Sequence, residues 1–352
     1  EITCRDWSSD VCSSDLLLKK NPQQKNALEN RQSTVVIAGP GSGKTATLTV
    51  KIMCLLKEID YPHGLACVTF NNDAVIEFQS RLKRMGLKQR RNLFLGTFHR
   101  FCLLEIIKPF APIYLPHIQQ PYKIASNEIR KKIFEKTCNS LDIELHFDEF
   151  LLYRRKRADP NFKQNQTYEK ITESYVSNLH GINYLDFDDL TELALELIQH
   201  DYVREVFSAK FPWFLIDEYQ DLGPGLHQFV LTLLETSKTK IFAVGDPDQS
   251  IYSFMGANPK YLQDIANHTS IVPIHLKLNY RCIQRIIDGS IIILDSHEEK
   301  EYKSNRKPED PGEIVMYKCG GGFNHQMKII SQNILTNRSE ERRVGKECRS
   351  RW

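Results

Sequence analysis

The sequence has no apolar stretch of the roughly 18–20 residues that a membrane-spanning helix requires, and the longest candidates are short segments such as residues 291–294. Its N-terminus lacks a basic stretch followed by an apolar one, so we expect no secretory signal peptide and no membrane partner. Neither sign of charge dominates, because 47 basic and 44 acidic residues give a net charge of +3. The charge balance therefore neither demands nor excludes a nucleic-acid partner, since a local groove can still be basic.

Paired cysteines are lacking as well. The nine cysteines are scattered without a CxxC pair, so the sequence indicates neither a zinc site nor a redox dithiol. A reducing intracellular compartment fits this pattern, and we expect a cytoplasmic protein. The 352 residues are 41% hydrophobic and 26% charged. This composition is ordinary for a globular protein, and the length leaves room for two or three domains.

The two ends of the sequence differ from the stretch between them. Residues 1–16 and 338–352 show neither helix nor strand periodicity, and both carry Trp and Cys in polar surroundings. We interpret them as non-native tails, of the kind translated from adapter or cloning sequence, and exclude them from fold reasoning. The alternative is a pair of genuine disordered tails. On the first interpretation the natural chain is longer and this sequence is an internal piece.

Short apolar runs alternate with helical stretches along most of the chain. Six runs predict strands, at 34–38, 65–70, 93–97, 213–217, 240–244 and 274–278. Near-continuous apolar strands that alternate with helices are typical of a parallel sheet covered on both faces, so the predicted fold class is α/β. Between residues 101 and 186 the pattern is mostly helical, as at 127–141 and 168–179, and it predicts a helical insertion.

The segment TVVIAGPGSGKTATL carries the sharpest local motif. A predicted strand ends at Ala38, a glycine-rich loop follows, and Lys44 and Thr45 open an amphipathic helix. The loop consists of Gly39, Pro40, Gly41, Ser42 and Gly43. Glycines let successive backbone N–H groups converge on a phosphate, while Lys44 reaches the β- and γ-phosphates and the Thr45 hydroxyl ligates Mg²⁺. We therefore expect a P-loop that binds a nucleoside triphosphate, although Ala38 replaces the first glycine of the usual GxxxxGKS/T pattern.

Two further motifs place polar side chains directly after apolar strands. FLIDEYQD ends a strand at Asp217, whose carboxylate would face Mg²⁺ at the carboxyl edge of the sheet. The adjacent Glu218 is suited to orient or deprotonate an attacking water. AVGDPDQSIYSFMGA follows another strand and places Gln249 to contact the γ-phosphate. Together with the P-loop, these residues predict a hydrolytic site.

Aromatic and basic residues near these motifs predict the remaining roles. Tyr252 and Phe254 offer flat rings on which nucleobases stack, with core packing as the alternative. LKLNYRC places Arg281 where a guanidinium stabilises charge on the transferred phosphoryl group. Two basic runs would either track a nucleic-acid backbone or form solvated helix faces. They are Arg81, Lys83, Arg84, Lys88, Arg90 and Arg91, then Arg154, Arg155, Lys156 and Arg157.

In this order and at these distances the motifs resemble those of the UvrD/Rep/PcrA-like DNA helicases of superfamily 1, across nearly all of residues 18–337. The resemblance implies ATP and Mg²⁺ as cofactors. It also implies that Gln24 reads the adenine edge, that Tyr280 stacks on adenine and that Arg281 senses the γ-phosphate. The implied DNA contacts are Phe70, Asn72, Thr97 and His99. Out of this context, His99 is equally compatible with a structural histidine.

The same resemblance implies a domain organisation. A first RecA-like ATP-binding domain would comprise residues 17–104 and 185–285, and a helical insertion subdomain would comprise 105–184. A second RecA-like domain would start at 286 and run, truncated, to 337, with a strand at 312–319. The later motifs of the family are absent. We therefore expect an N-terminal fragment that is weak or inactive by itself.

Three positions depart from the family pattern. Ala46 stands where the family often has an arginine that packs on the base, so adenine binding would be looser. Asp73 puts a carboxylate close to the expected DNA phosphate, and Met255 removes an arginine that joins nucleotide state to DNA grip. The two lost charges would each remove about one phosphate contact. None of the three is a predicted hydrolytic residue.

The leading hypothesis is an ATP-dependent DNA helicase or translocase that moves 3′→5′ on single strands, with single-stranded DNA and DNA junctions as partners. One alternative is an ATP-binding module without motor activity. Another is the helicase portion of a helicase–nuclease. DNA repair, replication restart and plasmid maintenance are all compatible pathways, and the sequence names no protein partner.

Overall fold

The computed structural model describes residues 21–87, 92–118, 120–252, 256–294 and 301–307, and a few positions beyond them (322, 325–328, 331–332). Both predicted tails, the predicted strand at 312–319, the basic residues at 88, 90 and 91, and positions 254 and 255 lie outside the described residues. The chain divides into two compact units, residues 1–308 and 309–352. In the second unit the described residues include short helical segments at 325–328 and 331–332.

The first unit is built on a parallel sheet of six strands in the order β3-β2-β6-β7-β1-β8. The described strands are β1 (Thr34–Ala38), β2 (Leu65–Thr69), β3 (Leu93–Thr97), β4 (Lys123–Ile124), β5 (Tyr184–Leu185), β6 (Trp213–Ile216), β7 (Lys240–Gly245), β8 (Val272–Leu276), β9 (Leu278–Asn279) and β10 (Lys303–Ser304). Parallel strands need crossover connections, and helices supply them. This architecture confirms the predicted α/β fold class, a RecA-like sheet with helices on both faces.

Helices connect the strands throughout the first unit. They are α1 (Pro22–Glu29), α2 (Lys44–Glu58), α3 (Asn72–Arg84), α4 (Phe98–Phe101), α5 (Lys108–Tyr114), α6 (Asn127–Leu141), α7 (Phe147–Lys156), α8 (Gln166–His180), α9 (Phe187–Leu197), α10 (Asp201–Lys210), α11 (Pro224–Thr236), α12 (Lys260–Ala266) and α13 (Gln284–Leu294). A π-helix, Cys102–Ile107, joins α4 to α5. No helix within the described ranges is long and apolar enough to cross a bilayer.

The central strands β2 and β6 are buried along their whole length because both faces of the sheet are covered. Every residue of β2 and β6 is buried, as expected for strands with helices on both sides. One core, which includes Leu48 and Phe78, packs α2 and α3 against one face. The other, which includes Phe98 and Phe229, packs α4 and α9–α12 against the opposite face. The predicted strand at 274–278 is found two residues earlier, because Val272 pairs with Thr34 of β1.

The helices α6, α7 and α8 have a hydrophobic core of their own, which includes Phe134, Phe150 and Tyr175. A buried ion-pair network joins them to the start of α9. Its centre is Asp186, which accepts hydrogen bonds from Arg154 at 2.9 Å, Arg130 at 3.3 Å and the Tyr175 hydroxyl at 3.0 Å. Desolvation raises the pKa of a buried carboxyl, but Arg154 and Arg130 outweigh it here and hold the pKa of Asp186 below its usual value.

This network corrects one sequence-based expectation. Arg154 belongs to a basic run for which the sequence predicts either a nucleic-acid contact or a solvated helix face, yet its side chain is fully buried. Besides Asp186 it binds Asp189 at 2.9 Å. A long charged side chain is buried only when it is paired, and the carboxylates of α9 supply the partners. Arg154 is therefore a structural cation. The boundaries of the helical insertion, at residues 105 and 184, stay a prediction.

Candidate active site

The loop between β1 and α2 has the backbone that a phosphate site requires. Gly41 and Gly43 adopt positive φ values of 71° and 86°, a region that residues with a Cβ rarely enter. A Cβ at Gly41 would lie 2.7 Å from Cβ of Arg281, so glycine is also demanded by the close approach of a second segment. Helix α2 starts at Lys44, directly after the loop. Its first N–H groups and its dipole therefore face the site, as in anion-binding helix N-termini.

The second segment comprises β9 and the residues directly after it, and Asn279 of β9 binds it to the phosphate loop. The Asn279 amide donates to the carbonyl of Pro40 at 2.7 Å, while its oxygen accepts from the backbone N–H groups of Arg281 and Cys282, each at 2.8 Å. The backbone N–H of Tyr280 donates to the carbonyl of Gly41 at 2.8 Å. Asn279 is only 6% exposed. Sequence reasoning did not select it, and its position directly before Tyr280 was the available signal.

Gln24 and Tyr280, both predicted at the adenine, lie together beside the phosphate loop. The Tyr280 hydroxyl donates to Oε1 of Gln24 at 3.1 Å, and the Gln24 amide nitrogen lies 3.2 Å from both the Ser42 carbonyl and the Thr47 hydroxyl. Asn21, which caps α1, donates to the Tyr280 hydroxyl at 3.0 Å. The Gln24 amide is thus bonded within the protein in this structure. Its reading of adenine stays a prediction.

Two neighbouring acidic residues follow β6 at the same edge of the sheet. Asp217 is 4% exposed, and its Oδ1 is buried without a hydrogen-bond partner within the described structure. Burial raises the pKa of Asp217 to about 7, and the charge of Glu218 adds to the shift. Glu218 has a φ of 51°. A non-glycine residue in this region costs roughly 1–3 kcal/mol, and such strain concentrates at functional sites.

Lys44 lies between two carboxylates. Its Nζ is 3.4 Å from Oδ2 of Asp246 and 4.0 Å from Oε2 of Glu218. Asp246 follows β7 and is fully buried, and burial raises its pKa. Gln249, predicted at the γ-phosphate, donates to Oδ2 of Asp246 at 2.7 Å. The structure therefore brings Lys44, Glu218 and Gln249 together around Asp246.

Sequence reasoning did not select Asp246 or Gln220. The Gln220 amide nitrogen donates to Glu218 at 2.8 Å, and its oxygen accepts from the backbone N–H of Asp246 at 2.9 Å. Gln220 therefore joins the motif after β6 to the motif after β7. For Asp246, the signal in the sequence was a carboxylate at the end of an apolar strand, the same signal that selected Asp217.

Two predicted aromatic residues meet next to this site. The rings of Phe70, after β2, and Tyr252 have centroids 4.7 Å apart and an interplanar angle of 35°. Both side chains are half-buried, so each keeps exposed ring surface on which a base could stack. Phe254, the second predicted ring of that loop, lies outside the described residues.

The other predicted DNA contacts start the helices that follow β2 and β3. Asn72 is exposed at the start of α3, and Thr97 caps α4 by accepting from the backbone N–H of Arg100 at 3.3 Å. His99 meets Phe187 edge-to-face, with ring centroids 5.6 Å apart, and burial lowers the pKa of His99. Phe187 is 50% exposed, and sequence reasoning did not select it.

Of the predicted hydrolytic residues, Thr45 is half-buried at the start of α2, and Arg281 is exposed beside Gly41. Hard oxygen donors and a buried carboxylate oxygen without a hydrogen-bond partner suit a Mg²⁺ ion. The hydroxyl of Thr45 and the carboxylate of Asp217 provide this donor set, so the residues present fit the metal.

A glycine-rich loop between a parallel strand and a helix, with carboxylates after neighbouring strands, defines a P-loop nucleotide-binding α/β protein. Residues 20–270 match the family model described as UvrD/REP helicase N-terminal domain. The chain therefore belongs to the UvrD/REP helicase family.

Curated relatives agree with this assignment. The chain is 30% identical over 298 residues to the "ATP-dependent DNA helicase Rep" of Salmonella typhimurium, covering 79% of this chain and 43% of the relative. It is 28% identical over 356 residues to the "ATP-dependent DNA helicase PcrA" of Staphylococcus epidermidis, covering 94% of this chain and 46% of the relative. A "Probable DNA helicase II homolog" of Mycoplasma capricolum is 29% identical over 343 residues, covering 91% of this chain and 47% of the relative. The chain spans about half the length of the curated relatives it matches.

Proposed function

We propose that this chain is the N-terminal ATP-binding part of a DNA helicase or translocase, which couples ATP hydrolysis to 3′→5′ movement on single-stranded DNA. The supporting observation is the cluster around Lys44. A lysine at a helix N-terminus lies 3.4 Å from Asp246 and 4.0 Å from Glu218. The same edge of the sheet carries the Phe70–Tyr252 ring pair. A phosphate site and a stacking surface thus adjoin within one unit.

The residues divide the hydrolytic work. Backbone N–H groups of the glycine loop and of α2 would hold the β- and γ-phosphates, and Lys44 would leave Asp246 to contact them. Thr45 and Asp217 would hold Mg²⁺, which neutralises phosphate charge when bound. Glu218 would orient the attacking water, and Gln249 would contact the γ-phosphate. Arg281, exposed beside the loop, would stabilise charge on the transferred phosphoryl group.

DNA contact is proposed for the aromatic side of the site. Phe70 and Tyr252 would stack on bases, and Asn72, Thr97 and His99 would lie near the strand. Movement of Gln249 on γ-phosphate release would reach Tyr252 through the loop that follows β7. This short path of three residues connects nucleotide state to base stacking. A preference for DNA junctions, a role in DNA repair and a cytoplasmic location all stay predictions.

The test is the ATPase rate with and without single-stranded DNA. It is measured on this chain and on a second, longer protein, encoded by the gene where it extends to the length of the relatives. We expect DNA to stimulate turnover, and Lys44→Ala and Glu218→Gln to abolish it. Glu218→Gln should still bind nucleotide, because it keeps the shape of the side chain. If both proteins bind nucleotide but DNA does not stimulate their ATP turnover, the motor proposal is overturned in favour of an ATP-binding module without motor activity.

A further inference from the structure

A cavity of about 490 Å³ lies beside the aromatic pair of the candidate site. The aromatic residues that line it are Phe70 after β2, His99 of α4 and Phe187 of α9, and Arg155 lines it from helix α7. Phe187 keeps 50% of its surface exposed, so the cavity is open to solvent there. Aromatic rings beside a guanidinium form the kind of surface that single-stranded nucleic acids use.

Arg155 differs from the arginines around it in its unused hydrogen-bonding capacity. Its Nε donates to Asp188 at 3.1 Å, and its two terminal nitrogens have no partner within the described ranges of the chain. Its side chain is 24% exposed, whereas that of Arg154 is fully buried. A guanidinium offers five N–H donors. Arg155 therefore has terminal N–H donors left for a ligand at the cavity that it lines.

One carboxylate that lines the cavity, Asp188, is shared between two arginines. Asp188 accepts from Arg155 at one oxygen and from Arg130, at 3.0 Å, at the other. Two more carboxyls line the cavity. Glu192 is paired with Arg154 and Arg157, and burial raises the pKa of Asp221 to about 7, so that part of its charge is lost near neutral pH.

The backbone around Arg155 lies close to Gly256. A Cβ placed on Gly256, whose φ is 90°, would lie 3.3 Å from Cβ of Arg155. Helix α7 therefore approaches Gly256 closely at this point. Arg155 also lines the same cavity as Phe70 of the ring pair, from an element that sequence reasoning assigned to the insertion.

We propose that Arg155 binds a phosphate of single-stranded DNA at this cavity, with Asp188 holding its Nε so that the terminal N–H groups face the phosphate. The proposal rests on the proposed function, because it needs DNA to lie along Phe70 and Tyr252. It adds a contact from helix α7 to those expected from the sheet edge. A guanidinium fork is suited to bind phosphate oxygens with two parallel hydrogen bonds.

The test is binding of this chain to a fluorescent oligo-dT across a salt series. We expect Arg155→Ala to weaken binding by about 5- to 10-fold and to reduce the slope of log K against log salt by about 0.7, the value for one phosphate on a single strand. Arg155→Lys keeps the charge but not the two-pronged guanidinium, so its affinity for oligo-dT should lie between that of the unaltered chain and that of Arg155→Ala. Lys132→Ala, on an exposed position of α6 outside the cavity, removes the same charge and should leave the slope unchanged.

The outcomes separate the two proposals. In one outcome the unaltered chain binds oligo-dT in a salt-dependent way, and Arg155→Ala and Arg155→Lys have the same affinity and salt slope as Lys132→Ala. This result overturns the role of Arg155 and leaves the motor proposal intact. No binding of oligo-dT by the unaltered chain overturns both. If Arg155→Ala does not fold, as judged by its thermal melt, Arg155→Lys decides: unchanged affinity overturns the proposal, and a loss of about 2- to 3-fold supports it.

Discussion

The Lys44 ammonium lies 3.4 Å from a carboxylate oxygen of Asp246, across the gap between the ends of β1 and β7. Asp246 is fully buried and also accepts from Gln249 at 2.7 Å. A buried carboxylate without a cation nearby would be costly, and the charge of Lys44 partly offsets the burial that raises the pKa of Asp246. The pair holds the lysine at the phosphate loop before any phosphate arrives.

This pairing predicts that Asp246→Asn lowers ATP turnover without weakening nucleotide binding. Loss of the carboxylate leaves the position of Gln249 less defined, so we expect kcat for ATP to fall at least about 10-fold. Removal of a negative charge next to Lys44 should leave nucleotide affinity equal or tighter. Steady-state ATPase and a titration with a fluorescent nucleotide measure the two effects. Parallel losses of affinity and kcat would contradict a positioning role.

A second prediction concerns Asn279, whose amide bridges the phosphate loop and the segment that carries Tyr280 and Arg281. Asn279→Ala removes three partly buried hydrogen bonds to backbone groups, at a cost of about 1–3 kcal/mol. We expect a lower free energy of unfolding in urea and weaker nucleotide binding. Asn161→Ala, at an exposed position, is the matched control and should change neither. Equal effects of the two substitutions would refute the bridging role.

A third prediction concerns Arg154, the buried cation that joins α7 to the start of α9. Arg154→Met leaves Asp186 and Asp189 with fewer partners while keeping most of the side-chain volume. Breaking a buried pair by removal of one partner costs about 3–5 kcal/mol, and we expect urea denaturation to show a loss of this size. Arg84→Met, at an exposed position of α3, should lose less than about 0.5 kcal/mol. If Arg154→Met lowers the free energy of unfolding by as little as Arg84→Met does, the ion-pair network does not stabilise the fold.

A fourth prediction concerns the pH dependence of stability. His227 is 3% exposed, lies 2.9 Å from the Tyr219 hydroxyl and stacks on Tyr261. Burial lowers its pKa from 6.5 to about 4, so between these values the unfolded chain binds a proton that the folded chain does not. Stability contributed by the neutral ring is therefore present above pH 6.5 and is lost as the pH falls toward 4, by up to about 3 kcal/mol.

His227→Gln removes this titration and keeps a hydrogen-bonding side chain. We expect it to be less stable than the unaltered chain at pH 7.5, with a difference that shrinks as the pH is lowered to 4.5. Urea unfolding at several pH values measures the difference directly. Because Asp217 and Asp221 are present in both proteins, their opposite pH dependence cancels in the comparison. A difference that stays constant with pH would show that His227 does not titrate in this range.

Much of the fold followed from local pattern. The strand at Thr34–Ala38 and the helix at Asn127–Leu141 have the predicted bounds, because apolar runs and helical periodicity are local properties of the chain. The glycine loop, Lys44 and the strand-end carboxylate of Asp217 could be read in the same way. The strand at Val272–Leu276 was displaced because its register depends on pairing with β1, and pairing is not a local property.

Local sequence pattern predicts the phosphate loop, the alternation of strands and helices and the family motifs, since each depends on residues that are close in the chain. The folded structure was needed to show that Asp246 contacts Lys44, that Asn279 binds the phosphate loop, that Arg154 is buried and that Arg155 lines a cavity. Those contacts join residues 32 to 239 positions apart. The contacts of Asp246 and Asn279 exist because parallel strands bring their carboxyl ends to one edge, where distant segments meet. Arg154 meets Asp186 where helix α7 lies beside the start of α9.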